Sequence, residues 1–151
     1  MDSSYPAAAV ANFFINKAKS EDDSITLMKL SKLVYIAHGW SLALLGEPLI
    51  KESIEAWKFG PVIESLYHEF KRFGNRPIDL LAVEDEIQDK HILKLLNKIW
   101  DGYKEYSAYE LSNWTHITNS PWDQVYSPGE RNKVIDNGII KDYFNGLKKQ
   151  W

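Results

Sequence analysis

Residues 26–45 constrain the fold more than any other part of the chain. They contain no proline and a single glycine, Gly39, and Gly46 followed by Pro48 is a strong helix stop. On an ideal helical wheel the apolar residues cover well over half of the circumference, which predicts a long helix buried on nearly all sides. These apolar residues are Leu27, Leu30, Leu33, Val34, Ile36, Ala37, Trp40 and Leu44.

Five shorter segments show the apolar spacing of amphipathic helices. Ser107 and Glu110 form a Ser-x-x-Glu capping box ahead of one of them. Alternating apolar residues within 48–59 predict a small hairpin around Lys51-Glu52-Ser53. The five segments are one that follows Pro6, one that Pro61 opens and Gly74 ends, residues 92–103, residues 108–116, and one that begins near Asp136.

The remaining stretches read as connections. Residues 75–90 carry several acidic side chains and predict an exposed connection with some helix, and the segment around Pro121 and Trp122 predicts a loop. No repeat or flexible linker divides the chain of 151 residues, a length typical of one domain. We therefore expect a mainly α, compact helical domain over residues 1–151, built around a buried central helix and carrying a small β-hairpin.

The composition argues against several classes of protein. The net charge of −3 gives no attraction for a phosphate backbone, so we expect no direct nucleic-acid partner. No stretch approaches the ~18 apolar residues of a membrane span, and the first residues lack the pattern of a signal peptide. We therefore expect no membrane partner. The chain has no cysteine, which fits a cytoplasmic location.

Motifs for catalysis and metal binding are missing from the sequence. It contains no P-loop, no G-x-S-x-G, no G-x-G-x-x-G and no H-E-x-x-H. The four histidines, which are not spaced to bind a metal from one helical turn, are His38, His68, His91 and His116. We expect no metal, no cofactor and no catalytic residue.

Several polar and aromatic positions have two interpretations. His38 lies in the buried helix, and a local hydrogen-bonded network with Ser31 and Tyr35 accounts for it without any catalytic role. His68 faces Glu64 one turn away. The two side chains form either an ion pair on a solvated face or part of a contact surface.

Three residues, Lys32, Tyr35 and Gly39, lie within about 60° of each other on the long helix. They form either a partner surface or a face where the Gly39 notch allows another helix of the chain to pack closely. Trp57, Lys58 and Phe59 read either as an aromatic anchor for a partner or as a lid on the core.

Three stretches in this order resemble the Panacea antitoxin domain, also described as SocA-like or as a phage-associated GepA-type domain. They are ITLMKLSKLVYIAHGWSLALLGEP at 25–48, EAWKFGPVIESLYHEFKRFG at 55–74 and LSNWTHITNSPW at 111–122. The resemblance implies an antitoxin that neutralises a toxin encoded beside it by direct binding. One mode of the family is an adaptor that delivers the toxin to a cellular protease. Some members add a DNA-binding region, and we expect none here, because the three stretches together cover most of this chain.

The resemblance marks particular positions without giving their roles. We interpret Leu30, Leu33 and Trp40 as core, and we expect partner-binding residues among Lys32, Tyr35, Trp57, Tyr67 and His68. The further positions of the family motif are Lys29, His38, Gly39, Trp40, Gly60, Pro61, Thr115, His116, Pro121 and Trp122.

Two other functions stay open. One is a small hydrolase or nucleotide-processing enzyme in which His38 or His116 acts with Lys32 or Tyr35 in a pocket. The other is a phage-associated adaptor protein that has no toxin. A shifted pKa at one of these lysine or histidine side chains would favour the enzyme.

Overall fold

The computed structural model describes residues 4–148, and within them helices alternate with a small sheet. A short 3-10 helix at Lys71–Phe73 extends the third helix. The other elements are α1 Ala7–Ser20, α2 Leu27–Leu45, β1 Ile54–Trp57, β2 Gly60–Val62, α3 Glu64–Phe70, α4 Lys90–Tyr103, α5 Ala108–Thr115, α6 Pro121–Val125, β3 Lys133–Ile135 and α7 Asn137–Leu147. The mainly helical fold predicted from the sequence is confirmed.

Helix α2 is the centre of the molecule, as its apolar circumference predicts. Every residue from 32 to 43 is buried, because α1, α4, α5 and α7 all pack against this helix. The helix ends at Gly46, which adopts the left-handed conformation with φ 74° that glycine tolerates best. One hydrophobic cluster joins α2 to buried side chains from helices α1, α3, α4, α5 and α7.

The sheet has three strands, whereas the sequence predicted only a hairpin. Strand β1 lies in the middle and pairs antiparallel with β2 and with β3, which comes from much later in the chain. The predicted turn at Lys51-Glu52-Ser53 is wrong, since the hairpin turns at Lys58 and Phe59. In β1 the buried Ile54 and Ala56 alternate with half-buried residues, so the apolar run after Ser53 does form a strand as expected.

The expectation that Pro61 opens a helix is wrong. Pro61 lies in β2 opposite Ala56, and α3 begins three residues later at Glu64. Because β2 is an edge strand, the missing N–H of proline costs little there. The predicted end of the helical segment at Gly74 is confirmed, because the 3-10 helix ends at Phe73 and Gly74 caps it.

The connection from 74 to 89 contains no helix, contrary to the expectation of some helical structure. It is only partly exposed, because Ile78, Ala82 and Ile87 are buried against the rest of the core. The Asn12 side chain replaces backbone pairing at this point. Its Nδ2 donates to the Ala82 carbonyl oxygen and its Oδ1 accepts from the Ala82 N–H, both at 2.9 Å.

The segment expected to be a loop around Trp122 contains a short helix, α6. Pro121 occupies its first position, and the Ser120 hydroxyl accepts a hydrogen bond from the Asp123 N–H. The predicted capping box of α5 is confirmed, with Ser107 and Glu110 satisfying each other's backbone N–H groups.

Helices α2 and α7 pack closely at Gly39. A Cβ atom added at Gly39 would overlap the ring of Phe144, so no larger residue fits without a shift of the ring. Of the two interpretations of Gly39, the one in which another helix of the same chain packs on it is confirmed. The Phe144 ring also contacts Trp40 edge-on, with 5.3 Å between ring centroids.

We expect Gly39→Ala to lower the free energy of unfolding by about 1–3 kcal/mol, because the new methyl group overpacks the core. The matched control is Gly146→Ala in α7, where the residue is exposed and no atom lies near the added Cβ. The control should stabilise by roughly 0.5–1 kcal/mol through helix propensity. Urea denaturation of both variants is the measurement, and equal effects would contradict the packing described here.

Candidate functional site

The partner surface predicted on α2 lies inside the protein. Lys32 is only 5% exposed and Tyr35 only 1%, so the expectation that their side chains are accessible is wrong. A helical wheel cannot show this, because both residues are covered by elements from distant parts of the chain. The Tyr35 ring packs edge-on against Phe144 of α7, at 6.0 Å between centroids. Burial raises the pKa of the Tyr35 hydroxyl, which therefore stays protonated.

Lys32 connects α2 to the β1–β2 turn. Its Nζ donates to the Pro61 carbonyl oxygen at 3.3 Å. A Cβ atom built on Gly60 would lie 3.0 Å from the Lys32 Nζ and 2.9 Å from the His116 Cε1, so only a glycine allows this approach. Gly60 also has a φ of 126°, which favours glycine for a second reason. Burial lowers the pKa of Lys32 to about 8.

His116 and Trp122 hold the same turn from the other side. The His116 Nδ1 lies 2.6 Å from the Ser112 carbonyl oxygen and so donates a proton to it, which leaves Nε2 as the acceptor in the neutral ring. The His116 ring meets the Trp122 ring at 4.5 Å between centroids. The Trp122 Nε1 donates to the Trp57 carbonyl oxygen at 2.6 Å. These motif residues therefore brace the backbone of the hairpin.

His38 links α2 to the segment that leads into β1. Its Nδ1 accepts from the backbone N–H groups of Leu49 and Ile50, at 3.2 and 3.3 Å. Its Nε2 then carries the proton and donates to the Asn137 Oδ1 at 2.9 Å. The expected local network with Ser31 and Tyr35 is wrong, because the partners of His38 are distant in sequence. Burial lowers the pKa of His38, so the ring is neutral at pH 7.

The other motif residues also make contacts within the fold. Lys29 donates from Nζ to the Lys104 carbonyl oxygen at 2.6 Å, and burial lowers the pKa of its amine. Trp40 donates from Nε1 to the Tyr103 hydroxyl at 3.0 Å. Thr115 donates to the Ser112 carbonyl oxygen, and Pro121 begins α6.

Half-buried and exposed aromatic side chains lie at the braced turn and on the neighbouring helix α3. We call this surface the hairpin patch and define it as Trp57, Phe59, Tyr67 and His68. Phe59 is 76% exposed at the tip of the turn, and Tyr67 is 42% exposed on α3. The rings of Trp57 and Tyr67 are 5.6 Å apart, and those of Tyr67 and His68 are 5.5 Å apart.

The hairpin patch joins three of the five predicted partner-binding residues, namely Trp57, Tyr67 and His68. The expected pairing of His68 with Glu64 is confirmed at 3.3 Å, on an exposed face. Phe59 is not one of those five, although Trp57, Lys58 and Phe59 together are one candidate for an aromatic anchor. An apolar residue directly before Gly60-Pro61, where the chain has to turn, was the available signal.

Clusters of metal ligands and membrane-spanning helices are not found in the part of the chain that the structure describes. Between residues 4 and 148, no three His, Asp or Glu side chains are arranged to hold a metal ion. No helix in that range is both long and apolar enough to cross a bilayer.

Comparisons with known proteins agree with the resemblance seen in the sequence. The family model named "Antitoxin SocA-like, Panacea domain" matches residues 30–123, which is more than half of the chain. Antitoxin SocA from Caulobacter vibrioides is 33% identical over 160 aligned positions, which cover 96% of this chain and 85% of that protein. No solved structure matches.

Fold and site together define a small helical domain whose motif residues brace an aromatic β-turn. The chain belongs to the SocA-like antitoxin family, characterised by the Panacea domain. The matched residues run from Leu30 in α2 through the hairpin and α5 into the start of α6. The residues that brace the turn and the hairpin patch therefore both lie inside the family domain.

We expect the protein to lose stability as the pH falls below about 6.5, in part through His38. The folded pKa of His38 is lowered, so below about 6.5 the unfolded chain binds the proton more readily than the folded one. His38→Gln keeps an acceptor and a donor but cannot titrate, and its stability should fall less over this range. Urea denaturation at several pH values is the measurement, and an equally steep loss in the variant would contradict the assignment.

Proposed function

We propose that this chain neutralises a toxin encoded beside it by binding that toxin directly, with the hairpin patch at the centre of the contact. Membership of the SocA-like antitoxin family supports the first half of the proposal. The exposed Phe59 ring supports the second half and is the observation that carries it. An aromatic side chain that is 76% exposed gains more from burial against a partner than any polar neighbour does.

The brace behind the turn favours binding in a further way. Contacts of four residues order the hairpin backbone, and these residues are Lys32, Gly60, His116 and Trp122. A surface that is already ordered loses less conformational entropy when a partner binds, and this raises the affinity. In this proposal the buried Lys32 and Gly60 and the half-buried His116 and Trp122 support the contact surface from behind.

The charges around the hairpin patch are mixed. The Lys58 and Lys71 amines lie 5.5 and 5.9 Å from the ring centroids of Phe59 and Tyr67, while Glu64 pairs with His68. Such a rim tunes specificity and association rate more than affinity. The aromatic centre supplies the binding energy in this proposal, and the toxin should meet it with an apolar surface.

An enzymatic function is the second candidate, and the lowered pKa of Lys32 is the observation that favours it. The geometry argues against it. Lys32 donates to the Pro61 carbonyl oxygen, and His116 donates from Nδ1 to the Ser112 carbonyl oxygen. Lys32 is only 5% exposed and Gly60 lies against its amine, so a substrate would have to displace the turn before it reached the Lys32 Nζ.

Three further properties stay predictions. They are a cellular protease as a second partner, a cytoplasmic location and the absence of nucleic-acid binding. An adaptor protein that has no toxin stays an alternative. Co-expression of this chain with the protein from the adjacent reading frame separates the two, because only an antitoxin restores growth.

We expect Phe59→Ala and Tyr67→Ala each to weaken toxin binding by about 2 kcal/mol, or roughly 30-fold, and to leave the melting temperature nearly unchanged. Both side chains are exposed, so their loss leaves no cavity in the core. Titration calorimetry with the protein encoded by the adjacent frame measures the affinity, and growth rescue reports neutralisation.

Tyr109→Ala is the matched control, because Tyr109 is 70% exposed on α5 and lies outside the hairpin patch. It should bind and neutralise like the parent protein. If both patch variants kept full affinity, the hairpin patch would not be the contact surface. If the adjacent protein neither bound the parent chain nor stopped growth, the antitoxin proposal itself would fail.

A further inference from the structure

A second concave surface lies between α4, α5 and the end of α7. It is a cleft of about 860 Å³, within the range typical of ligand sites, and it shares no residue with the hairpin patch. Trp40 contributes from α2, Tyr103 from α4, Trp114 from α5 and Leu147 from α7. The proposed toxin contact makes no use of this cleft.

Aromatic rings form most of the apolar lining. Tyr103 lies 6.2 Å from Tyr106 and 6.2 Å from Trp114, measured between ring centroids. Tyr106 is 48% exposed, so part of this aromatic surface is open to a ligand. The faces of aromatic rings carry partial negative charge and attract cations, most strongly where water is excluded.

Charged side chains at the cleft favour the same kind of ligand. Asp101 and Glu110 contribute two carboxylates, and Lys98 contributes one amine, so the negative charges exceed the positive one. The Asp101 side chain is 70% exposed, and its contact with Lys104 is long at 3.9 Å. The Glu110 Oε1 accepts from the Ser107 N–H at 3.0 Å, which fixes its carboxylate at the start of α5.

We propose that this cleft binds an arginine side chain presented by a partner protein. A guanidinium group is flat and weakly hydrated, so it stacks on tyrosine and tryptophan rings and donates to carboxylates in the same plane. The aromatic lining supplies the stacking surface, and Asp101 and Glu110 supply the acceptors. A neutral side chain of the same shape lacks both electrostatic attractions.

The test uses N-acetyl-arginine methylamide as the probe and the citrulline analogue as its neutral isostere. Both are titrated into the full chain while the tryptophan indole N–H signals are followed by NMR, with Trp114→Phe to assign the Trp114 signal. We expect a saturable shift of the Trp114 signal with arginine, and binding of citrulline that is roughly three- to tenfold weaker.

Charge variants localise the effect. Asp101→Asn and Glu110→Gln should each weaken arginine binding roughly two- to fivefold, and Lys98→Gln should strengthen it. Glutamine still accepts the Ser107 hydrogen bond, so Glu110→Gln removes charge and keeps the capping box. Glu130→Gln, an exposed glutamate that does not line the cleft, is the control and should have no effect.

A wall variant tests the aromatic contribution separately. Tyr106→Ser should weaken arginine binding, whereas Tyr109→Ser should not, because Tyr109 does not line the cleft. Equal affinity for arginine and citrulline would overturn the proposal. So would an arginine-induced shift that is unchanged in Asp101→Asn, Glu110→Gln and Tyr106→Ser, or the absence of any saturable shift at Trp114.

Discussion

The fit of the Phe144 ring against Gly39 is the contact on which the rest of the structure depends. It brings α7 to the centre of α2, and α7 begins at Asn137, which accepts the hydrogen bond from His38. His38 in turn orients the backbone of Leu49 and Ile50 ahead of β1. Strand β3 directly precedes α7 and completes the sheet on β1. One glycine in a buried helix therefore connects the core to the hairpin.

Lys32 connects the same helix to the tip of the hairpin, and it does so at a cost. Burying an amine without an acidic partner is unfavourable, and the lowered pKa reflects this desolvation. An apolar residue at this position would pack more cheaply, but it would not donate to the Pro61 carbonyl oxygen. The position therefore trades stability for an ordered turn, which is expected where a surface has to be ready for a partner.

Local patterns predicted the parts of the fold that local physics decides. Helix α2 follows from its apolar circumference, and the α5 capping box follows from the spacing of Ser107 and Glu110. Contacts between distant residues decided the rest. The hydrogen bond of Lys32 needs Pro61, 29 residues away, and the sheet needs β3, which pairs with β1 from a distant part of the chain. No sequence window contains both members of such a pair.

We propose that motif residues behind the hairpin brace a turn whose aromatic surface meets the partner. Hydrogen–deuterium exchange of this chain, alone and with the protein encoded by the adjacent frame, tests it most directly. We expect slower exchange on binding at residues 57–68, with α2 already protected in the free protein because it is buried. Unchanged exchange at 57–68 in a complex that protects another surface would contradict it.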